Sequence, residues 1–314
     1  MKYAVISDIH GNAPALRLAL DDARQQGAGA YLFVGDYSIS APWPNEVAAL
    51  LRSLPNAHFV RGNDENHLDV PPGDDGQFEV SRWCARTLTA DNKAWLDALP
   101  EEITLPCDGL TLRMAHSSEA FMGKALHAHF RTSAFPFRYP HSPVTREALL
   151  ADFRRTMAED EACRSAIAAL EPGVYIFGHN HIQAHGCFDG RWLINPGSCG
   201  MPLDGCEFGA CYTLLTIEGG SVAVEERRIP YDVEALITQV KATEQYAEAR
   251  IWSETIFAEW RTRREKVASL LWYAEEYATR IGDSRRPFAK DTWQAAYAEW
   301  LTAAPQRWPE LFVP

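Results

Sequence analysis

The chain alternates short apolar runs with longer segments in which apolar residues recur at helical spacing. The apolar runs, rich in β-branched and aromatic residues, predict buried strands at 2–7, 30–34, 58–60, 110–115, 174–177 and 192–194. Helices are predicted at 14–26, 44–54, 81–99 and 149–170. A hairpin is predicted from 210–217 and 222–229, which flank a Glu-Gly-Gly turn. This order of elements predicts an α/β fold.

Five of the predicted strands end in side chains that commonly bind metal ions. These endings are Asp8 with His10, Asp36, Asn63, His116, and His179 with His181. A single Asp or Asn after a strand is usually a turn former, and Asp8 taken alone also fits a helix cap. Five endings drawn only from Asp, Asn and His are harder to explain as turns, and sites in open α/β sheets form at the carboxyl ends of strands. The set therefore predicts a site for two first-row divalent ions.

Composition and net charge limit the kinds of molecule that the protein is expected to bind. The 314 residues are 46% hydrophobic and 23% charged, which suits a globular protein with a full core. The net charge of -12 argues against broad nucleic-acid binding, although bound metal ions would still permit a small polyanionic substrate. No apolar run has membrane-spanning length, and the seven cysteines show no C-x-x-C spacing. We therefore expect a cytoplasmic protein with no membrane association.

In order and spacing, the strand endings resemble the motifs of the calcineurin-like metallophosphoesterases, over about residues 1–230. Those motifs are Asp8-Ile-His10, Gly35-Asp36, Gly62-Asn63, His116 and Gly178-His179-Asn-His181. The stretches 44–47, 194–198 and 204–205 are similar to a compact bacterial branch that includes dinucleoside tetraphosphatase-like proteins and small phosphodiesterases. The resemblance implies a four-layer α-β-β-α sandwich of two packed mixed sheets, here with a helical C-terminal extension.

The resemblance also implies two divalent metal ions and the residues that bind them. The first ion would be held by Asp8, His10 and His181, the second by Asn63, His116 and His179, and Asp36 would bridge the two. Manganese is the first expectation, and iron, zinc, cobalt or nickel fit the same ligands. The implied reaction is attack of a metal-bound hydroxide on a phosphate ester or anhydride.

Asp64 departs from the family pattern, in which histidine commonly follows Gly-Asn as a proton donor to the leaving group. A carboxylate can take that role only if its pKa is raised, because an ordinary Asp is ionised at neutral pH. We assign catalytic roles to Asp36 and Asp64. Leaving groups that depart without a proton, such as a nucleotide phosphate, are less affected by the change.

Residues 117–172 form an insert that is longer than a simple connection, and its first part is rich in aromatic and basic residues. Such an insert at the mouth of a site is often a lid, although the aromatics also fit a local core and the basic residues a solvated face. From this insert we predict Arg131 and Arg138 as substrate-binding residues, together with Asn12 and Asn63 of the main domain.

The region after residue 231 changes character, because it is helix-rich and holds six of the ten tryptophans but carries no chemical motif. We therefore predict a metallophosphoesterase domain at 1–231 and a helical extension at 232–314. The extension is expected to pack on the domain or to form a homodimer contact.

The predicted function is that of a dinuclear metal-dependent phosphoesterase acting on a small phosphorylated substrate. A nucleotide, either a phosphodiester or a dinucleoside polyphosphate, is the first expectation, and a phosphoprotein is the second. The alternative from another class is a non-catalytic scaffold of the same fold that binds a protein partner.

Overall fold

Two five-stranded mixed sheets pack face to face, and helices cover their outer sides. The computed structural model describes residues 1–141 and 143–313, so residue 142 of the predicted lid and residue 314 of the predicted extension lie outside it. The predicted four-layer α/β architecture is confirmed.

The first sheet has the order β10 (Ser221–Ile229), β9 (Ala210–Glu218), β1 (Lys2–Ile6), β2 (Ala30–Phe33), β3 (Ala57–Phe59). The second has the order β4 (Glu102–Cys107), β5 (Leu110–Ala115), β6 (Gly173–Ile176), β8 (Arg191–Asn195), β7 (Ala184–Phe188). Strands β1, β2 and β3 are parallel, as are β5, β6 and β8, and the remaining pairs are antiparallel. The parallel strands place their carboxyl ends at one edge of each sheet.

Burial on both faces explains why the central strands read as unbroken apolar runs. Val5 of β1 lies in the core between the sheets, where it joins Leu32 and Ile176. Its neighbours Ala4 and Ile6 point the other way, into the core beneath the helices, because successive strand residues face opposite sides. Both faces of β1 are therefore fully buried.

The helices up to the end of the insert are α1 (Ala13–Gln25), α2 (Pro44–Arg52), α3 (Glu79–Thr87), α4 (Ala90–Asp97), α5 (Glu119–Met122), α6 (Phe135–Arg138), α7 (Arg146–Glu159) and α8 (Glu161–Ala168). After β10 follow α9 (Val233–Lys241), α10 (Glu244–Glu248), α11 (Arg250–Thr262), α12 (Val267–Ile281) and α13 (Lys290–Arg307). Residues Asp64–Asp69 and Pro309–Leu311 form short 3₁₀ helices.

Two predicted helices are each divided in two by a capping residue. Thr89 interrupts the helix predicted at 81–99, since its side chain accepts a hydrogen bond from the Asn92 N–H and starts α4. Asp160 interrupts the helix predicted at 149–170 and caps α8 through the Cys163 N–H. Strands β4 and β7 were not predicted, because both are edge strands with alternating exposure rather than apolar runs.

The helices after β10 pack against two loops of the sheet-containing part. Ala41 and Met201 of those loops share one apolar cluster with Ile256, Phe257 and Trp260 of α11. Helices α12 and α13 form a second cluster of their own. Within the described ranges, no helix has both the length and the apolarity needed to cross a membrane. The domain boundary at residue 231 and the homodimer contact stay predictions.

Candidate metal centre

All seven predicted metal ligands converge at the carboxyl edge where the two sheets meet. Asp8 and His10 follow β1, Asp36 follows β2, Asn63 follows β3, His116 follows β5, and His179 and His181 follow β6. The first sheet therefore contributes four of these side chains and the second sheet three. Strand topology alone brings together residues that are far apart in sequence, such as His10 and His181, which are 171 positions apart.

The first group consists of Asp8, His10 and His181, whose candidate ligand atoms lie within 4.8 Å of one another. Asp8 Oδ1 is 3.3 Å from His181 Nε2. His10 Nε2 is 3.1 Å from His181 Nε2. One carboxylate and two imidazoles thus point at a common position.

The second group consists of Asp36, His116 and His179, again within 4.8 Å of one another, with Asn63 beside them. Asn63 Oδ1 is 3.0 Å from His116 Nε2 and 2.7 Å from His179 Nδ1. Asp36 Oδ2 lies 3.2 Å from His116 Nε2 and 4.0 Å from His10 Nε2. Asp36 therefore stands between the two groups.

Backbone carbonyls determine which nitrogen of each imidazole faces the centre. The Nδ1 of His10 is 3.1 Å from the carbonyl oxygen of Ile39, and that of His181 is 2.7 Å from the carbonyl oxygen of Met201. A carbonyl only accepts, so each Nδ1 carries the proton and each Nε2 presents a lone pair. The two Nε2 atoms are 3.1 Å apart, so this contact is favourable only when a proton or a metal ion lies between them. This donor set fits a divalent transition metal ion.

His116 follows the same pattern in the second group. Its Nδ1 donates to the carbonyl of Val34 at 2.6 Å, which leaves Nε2 facing the oxygens of Asp36 and Asn63. Nε2 faces these two acceptor oxygens favourably only when it carries a proton or when a metal ion lies between them. Both groups therefore accommodate positive charge, as protons or as metal ions.

The pKa shifts of the side chains at the centre also indicate that it favours positive charge. Burial lowers the pKa of His10, but the carboxylates of Asp64 and Asp36 outweigh it and raise that pKa to about 10. His116 behaves alike, since Asp36 and Asp8 overcome burial and raise its pKa to about 10. The pKa of Asp36 is in turn held well below its usual range, because His116 and His10 outweigh its burial. The carboxylates that attract protons here would equally attract metal ions.

The backbone at most of these ligands is left-handed, which is uncommon for residues other than glycine. Positive φ angles occur at Asp8 (52°), His10 (52°), Asp36 (55°), His179 (69°) and His181 (57°). Such a conformation costs about 1 kcal/mol or more per residue, and it clusters at functional sites.

Glycines of the motifs allow the loops that carry the predicted ligands to approach closely at the centre. A Cβ on Gly178 would overlap the hydroxyl of Ser7 and lie 2.5 Å from Asp8 Oδ2. A Cβ on Gly62 would overlap the backbone of Asp36. Each glycine is thus required by the ligand carboxylate that it contacts.

Asp64, a predicted catalytic residue, contacts a ligand of each group. Its Oδ2 accepts a hydrogen bond from His10 Nδ1 at 2.8 Å, and its N–H donates to Asp36 Oδ1 at 2.8 Å. Burial and the nearby carboxylate of Asp36 raise the pKa of Asp64. Its catalytic role, like that of Asp36, stays a prediction.

Glu65 is a buried carboxylate that the sequence analysis did not single out. It accepts hydrogen bonds from the backbone N–H groups of Asp36 (3.2 Å), Tyr37 (3.0 Å) and Gly62 (3.0 Å). Burial and the carboxylates of Asp36 and Asp64 raise its pKa to about 7. Glu65 therefore ties the loop after β2 to the loop after β3. The one sequence signal was an acidic residue directly after the Gly-Asn motif.

The predicted substrate-binding residue Asn12 is fully buried, and protein groups occupy its side chain. Its Oδ1 accepts from the Ala15 N–H and caps α1, while its Nδ2 donates to Gly200 O and to Tyr231 Oη, each at 3.1 Å. The structure thus places Asn12 behind the centre. Its role in binding substrate stays a prediction.

Of the two predicted arginines of the insert, Arg138 lies apart from the ligands. It pairs with Asp152 and packs over the ring of Phe130. Arg131 is exposed and close enough to His127 to help lower the pKa of that imidazole, after burial. His127 itself stacks on the ligand His179 with ring centroids 6.3 Å apart. The insert therefore reaches the centre through His127.

A cleft of about 230 Å³ opens beside the second group. Asn63, His116 and His179 form its inner wall, and Arg61 and Glu102 line its outer part. The Nε of Arg61 is buried and has no hydrogen-bond partner among the described residues. The cleft therefore adjoins the second predicted group.

Comparison with known proteins identifies the family. Residues 1–220 match the model of the calcineurin-like phosphoesterase superfamily domain. The uncharacterized protein MJ0912 of Methanocaldococcus jannaschii is 26% identical over 250 residues, covering 73% of this chain and 88% of that protein.

Two solved structures share the fold. The metallophosphoesterase from Sphaerobacter thermophilus aligns with a TM-score of 0.56 at 21% identity, covering 84% of this chain and 100% of that one. The hypothetical protein PH1004 from Pyrococcus horikoshii aligns with a TM-score of 0.53 at 17% identity, covering 80% and 97%. The predicted resemblance is thereby confirmed: the chain belongs to the calcineurin-like phosphoesterase superfamily, whose members depend on metal ions.

Proposed function

We propose that the protein is a dinuclear metal-dependent phosphoesterase that hydrolyses an ester or anhydride bond of a small phosphorylated substrate. The observation that carries the proposal is the convergence of two groups of ligands, with imidazole lone pairs turned inward and Asp36 between them. The proposed ligands are Asp8, His10 and His181 for one ion, Asn63, His116 and His179 for the other, and Asp36 for both. Manganese stays the first expectation.

Each part of the centre has a chemical task. Two divalent ions held there would activate water and neutralise charge on the phosphoryl oxygens. Asp36 would be a ligand shared by both ions. Asp64 would orient His10 through their 2.8 Å hydrogen bond. Asp64 stands where relatives commonly carry a proton-donating histidine. Substrates whose leaving group needs no proton are therefore favoured.

A nucleotide is the proposed substrate class. The small cleft beside the second group suits a small phosphate compound better than a folded phosphoprotein. His127 and Arg131 offer an imidazole ring and a guanidinium at the same side of the centre, groups suited to a base and its phosphates. A leaving nucleotide phosphate also fits the absence of histidine at residue 64.

The test is hydrolysis by protein that has been stripped with a chelator and then restored with Mn²⁺. The panel comprises bis-p-nitrophenyl phosphate, p-nitrophenyl phosphate, a dinucleoside tetraphosphate and a phosphopeptide. We expect turnover in the unmodified protein and in His58→Ala, a change of an exposed histidine on β3, but none in His179→Ala. Failure to bind metal and to hydrolyse any substrate would contradict the proposal and favour the scaffold alternative.

A further inference from the structure

The helices after β10 hold two loops that lie directly behind one half of the metal centre. One is the Ser40 loop (residues 38–43), where Gln245 Nε2 donates to the Ser40 carbonyl at 2.9 Å and Trp252 Nε1 donates to the Ser40 hydroxyl at 3.4 Å. The other is the Gly200 loop (residues 198–203), where Trp260 Nε1 donates to the Gly200 carbonyl at 3.0 Å. Gln245 and Trp260 are both buried.

The same two loops supply the carbonyls that orient His10 and His181. Ile39, directly before Ser40, accepts from His10 Nδ1, which it shares with Asp64 Oδ2. Met201, directly after Gly200, accepts from His181 Nδ1. Each orienting carbonyl is therefore next in sequence to a residue whose oxygen atoms the helices hold. A shift of either loop would turn the imidazole that it contacts.

The Ser40 loop needs such support because its backbone is strained. Ser40 has a φ of 115°, a conformation that residues with side chains rarely adopt. The strained residue is held on both sides, because the Ala41 N–H donates to the His10 carbonyl at 2.8 Å while Gln245 binds the Ser40 carbonyl. Strain of this kind persists only where the surroundings determine the conformation.

The second ligand group is oriented differently. His116 Nδ1 donates to the carbonyl of Val34, and His179 Nδ1 contacts Asn63, so both depend on residues beside β2 and β3. Among the hydrogen bonds of residues 1–141 and 143–313, none joins Val34 or Asn63 to a residue after β10. In the described part of the chain, the hydrogen bonds of the C-terminal helices therefore reach the residues next to Ile39 and Met201 but not Val34 or Asn63.

From this asymmetry we infer that the C-terminal helices position the His10 and His181 half of the metal centre, with Trp260 and Gln245 as the positioning residues. The inference rests on the proposed metal-binding function and adds a role for the C-terminal region in it. Loss of one of these hydrogen bonds should weaken the binding of the ion held by Asp8, His10 and His181. The affinity for the other ion should not change.

The variant Trp260→Phe tests this selectively, because it removes the indole N–H and keeps an aromatic ring. Trp300→Phe is the matched control: Trp300 is equally buried, and its Nε1 donates to Ser269 Oγ at 3.3 Å within the pair of α12 and α13. Mn²⁺ binding is measured by titration in two backgrounds that each keep one ion. His116→Ala keeps the ion of the first group, and His181→Ala keeps the ion of the second.

We expect Trp260→Phe to weaken Mn²⁺ binding about 10-fold in the His116→Ala background, the low end of the 10- to 100-fold range for partners of metal ligands. In the His181→Ala background it should change nothing, and Trp300→Phe should change nothing in either. Gln245→Met, which removes the donor to Ser40, should repeat the pattern if Trp260→Phe does not fold.

Two results would overturn the inference, and they are distinguishable from failure of the proposed function. The first is an equal loss of affinity for both ions in a Trp260→Phe variant that circular dichroism shows to be folded. It would indicate a general structural role instead. The second is an unchanged affinity for both ions in Trp260→Phe and also in Gln245→Met. It would show that these hydrogen bonds do not position the ligands. If the unmodified protein binds no Mn²⁺, the proposed function fails first.

Discussion

The substitution Glu65→Ala would remove the acceptor of three buried backbone N–H groups, those of Asp36, Tyr37 and Gly62. Each of these donors lies 3.0–3.2 Å from a Glu65 oxygen, and the carboxylate is fully buried. The substitution therefore leaves three polar groups without partners in the protein interior.

An unsatisfied buried donor costs about 1–3 kcal/mol, so three donors give a loss of roughly 3–9 kcal/mol in the free energy of unfolding. Removal of the carboxylate also ends its repulsion with Asp36 and Asp64, and this relief partly offsets the loss of stability. We therefore expect a loss near the lower end, about 3 kcal/mol. That is a large part of the ~5–15 kcal/mol by which a typical protein is stable.

Urea unfolding of metal-stripped protein measures the effect without a contribution from bound ions. Asp69→Ala is the control, because Asp69 is an exposed acid of the same 3₁₀ helix and pairs with Lys93 at the surface. Such a pair contributes about 0–1 kcal/mol. If Glu65→Ala destabilises the protein no more than Asp69→Ala does, the proposed tie between the two loops is wrong.

Two further predictions concern other buried contacts. Gly178→Ala should displace Asp8 and lower Mn²⁺ affinity, with about 1–3 kcal/mol of destabilisation from overpacking; unchanged Mn²⁺ titration would contradict it. Asp204 is fully buried, but Arg228 and Arg146 outweigh burial and lower its pKa from 3.8 to about 2. The ionised Asp204 therefore adds about 2 kcal/mol to the free energy of unfolding above pH 4. This contribution is lost as the pH falls towards 2. Asp204→Asn should cost about 3–5 kcal/mol at neutral pH and reduce that acid-dependent loss, as measured by urea unfolding at several pH values.

The convergence of the seven predicted ligands could be anticipated because strand ends leave a strong local signal. Short apolar runs stop abruptly at Asp8, Asp36 and His116, and parallel strands necessarily bring such ends to one edge. The fold followed from the same runs and from the family resemblance. The positions of the seven side chains thus required no knowledge of long-range contacts.

The supporting contacts could not be predicted, since nothing local marks them. Glu65 binds the N–H of Tyr37, 28 residues away, and Gln245 binds Ser40, 205 residues away. A buried acceptor and an exposed acid look alike in sequence. The capping roles of Thr89 and Asp160 were missed for another reason, because apolar periodicity continues across both and conceals the break.

The left-handed turns at five ligand positions bear on how this chain has evolved. A lineage of the same fold that had given up metal ions would gain about 1 kcal/mol at each turn by replacing the ligand with glycine. At His10, His179 and His181 that gain would be set against the loss of side chains that the proposed metal ions would need. In this chain Asp8, His10, Asp36, His179 and His181 all keep their side chains. The strained backbone at these five positions is therefore kept together with the side chains that the proposed metal ions would need.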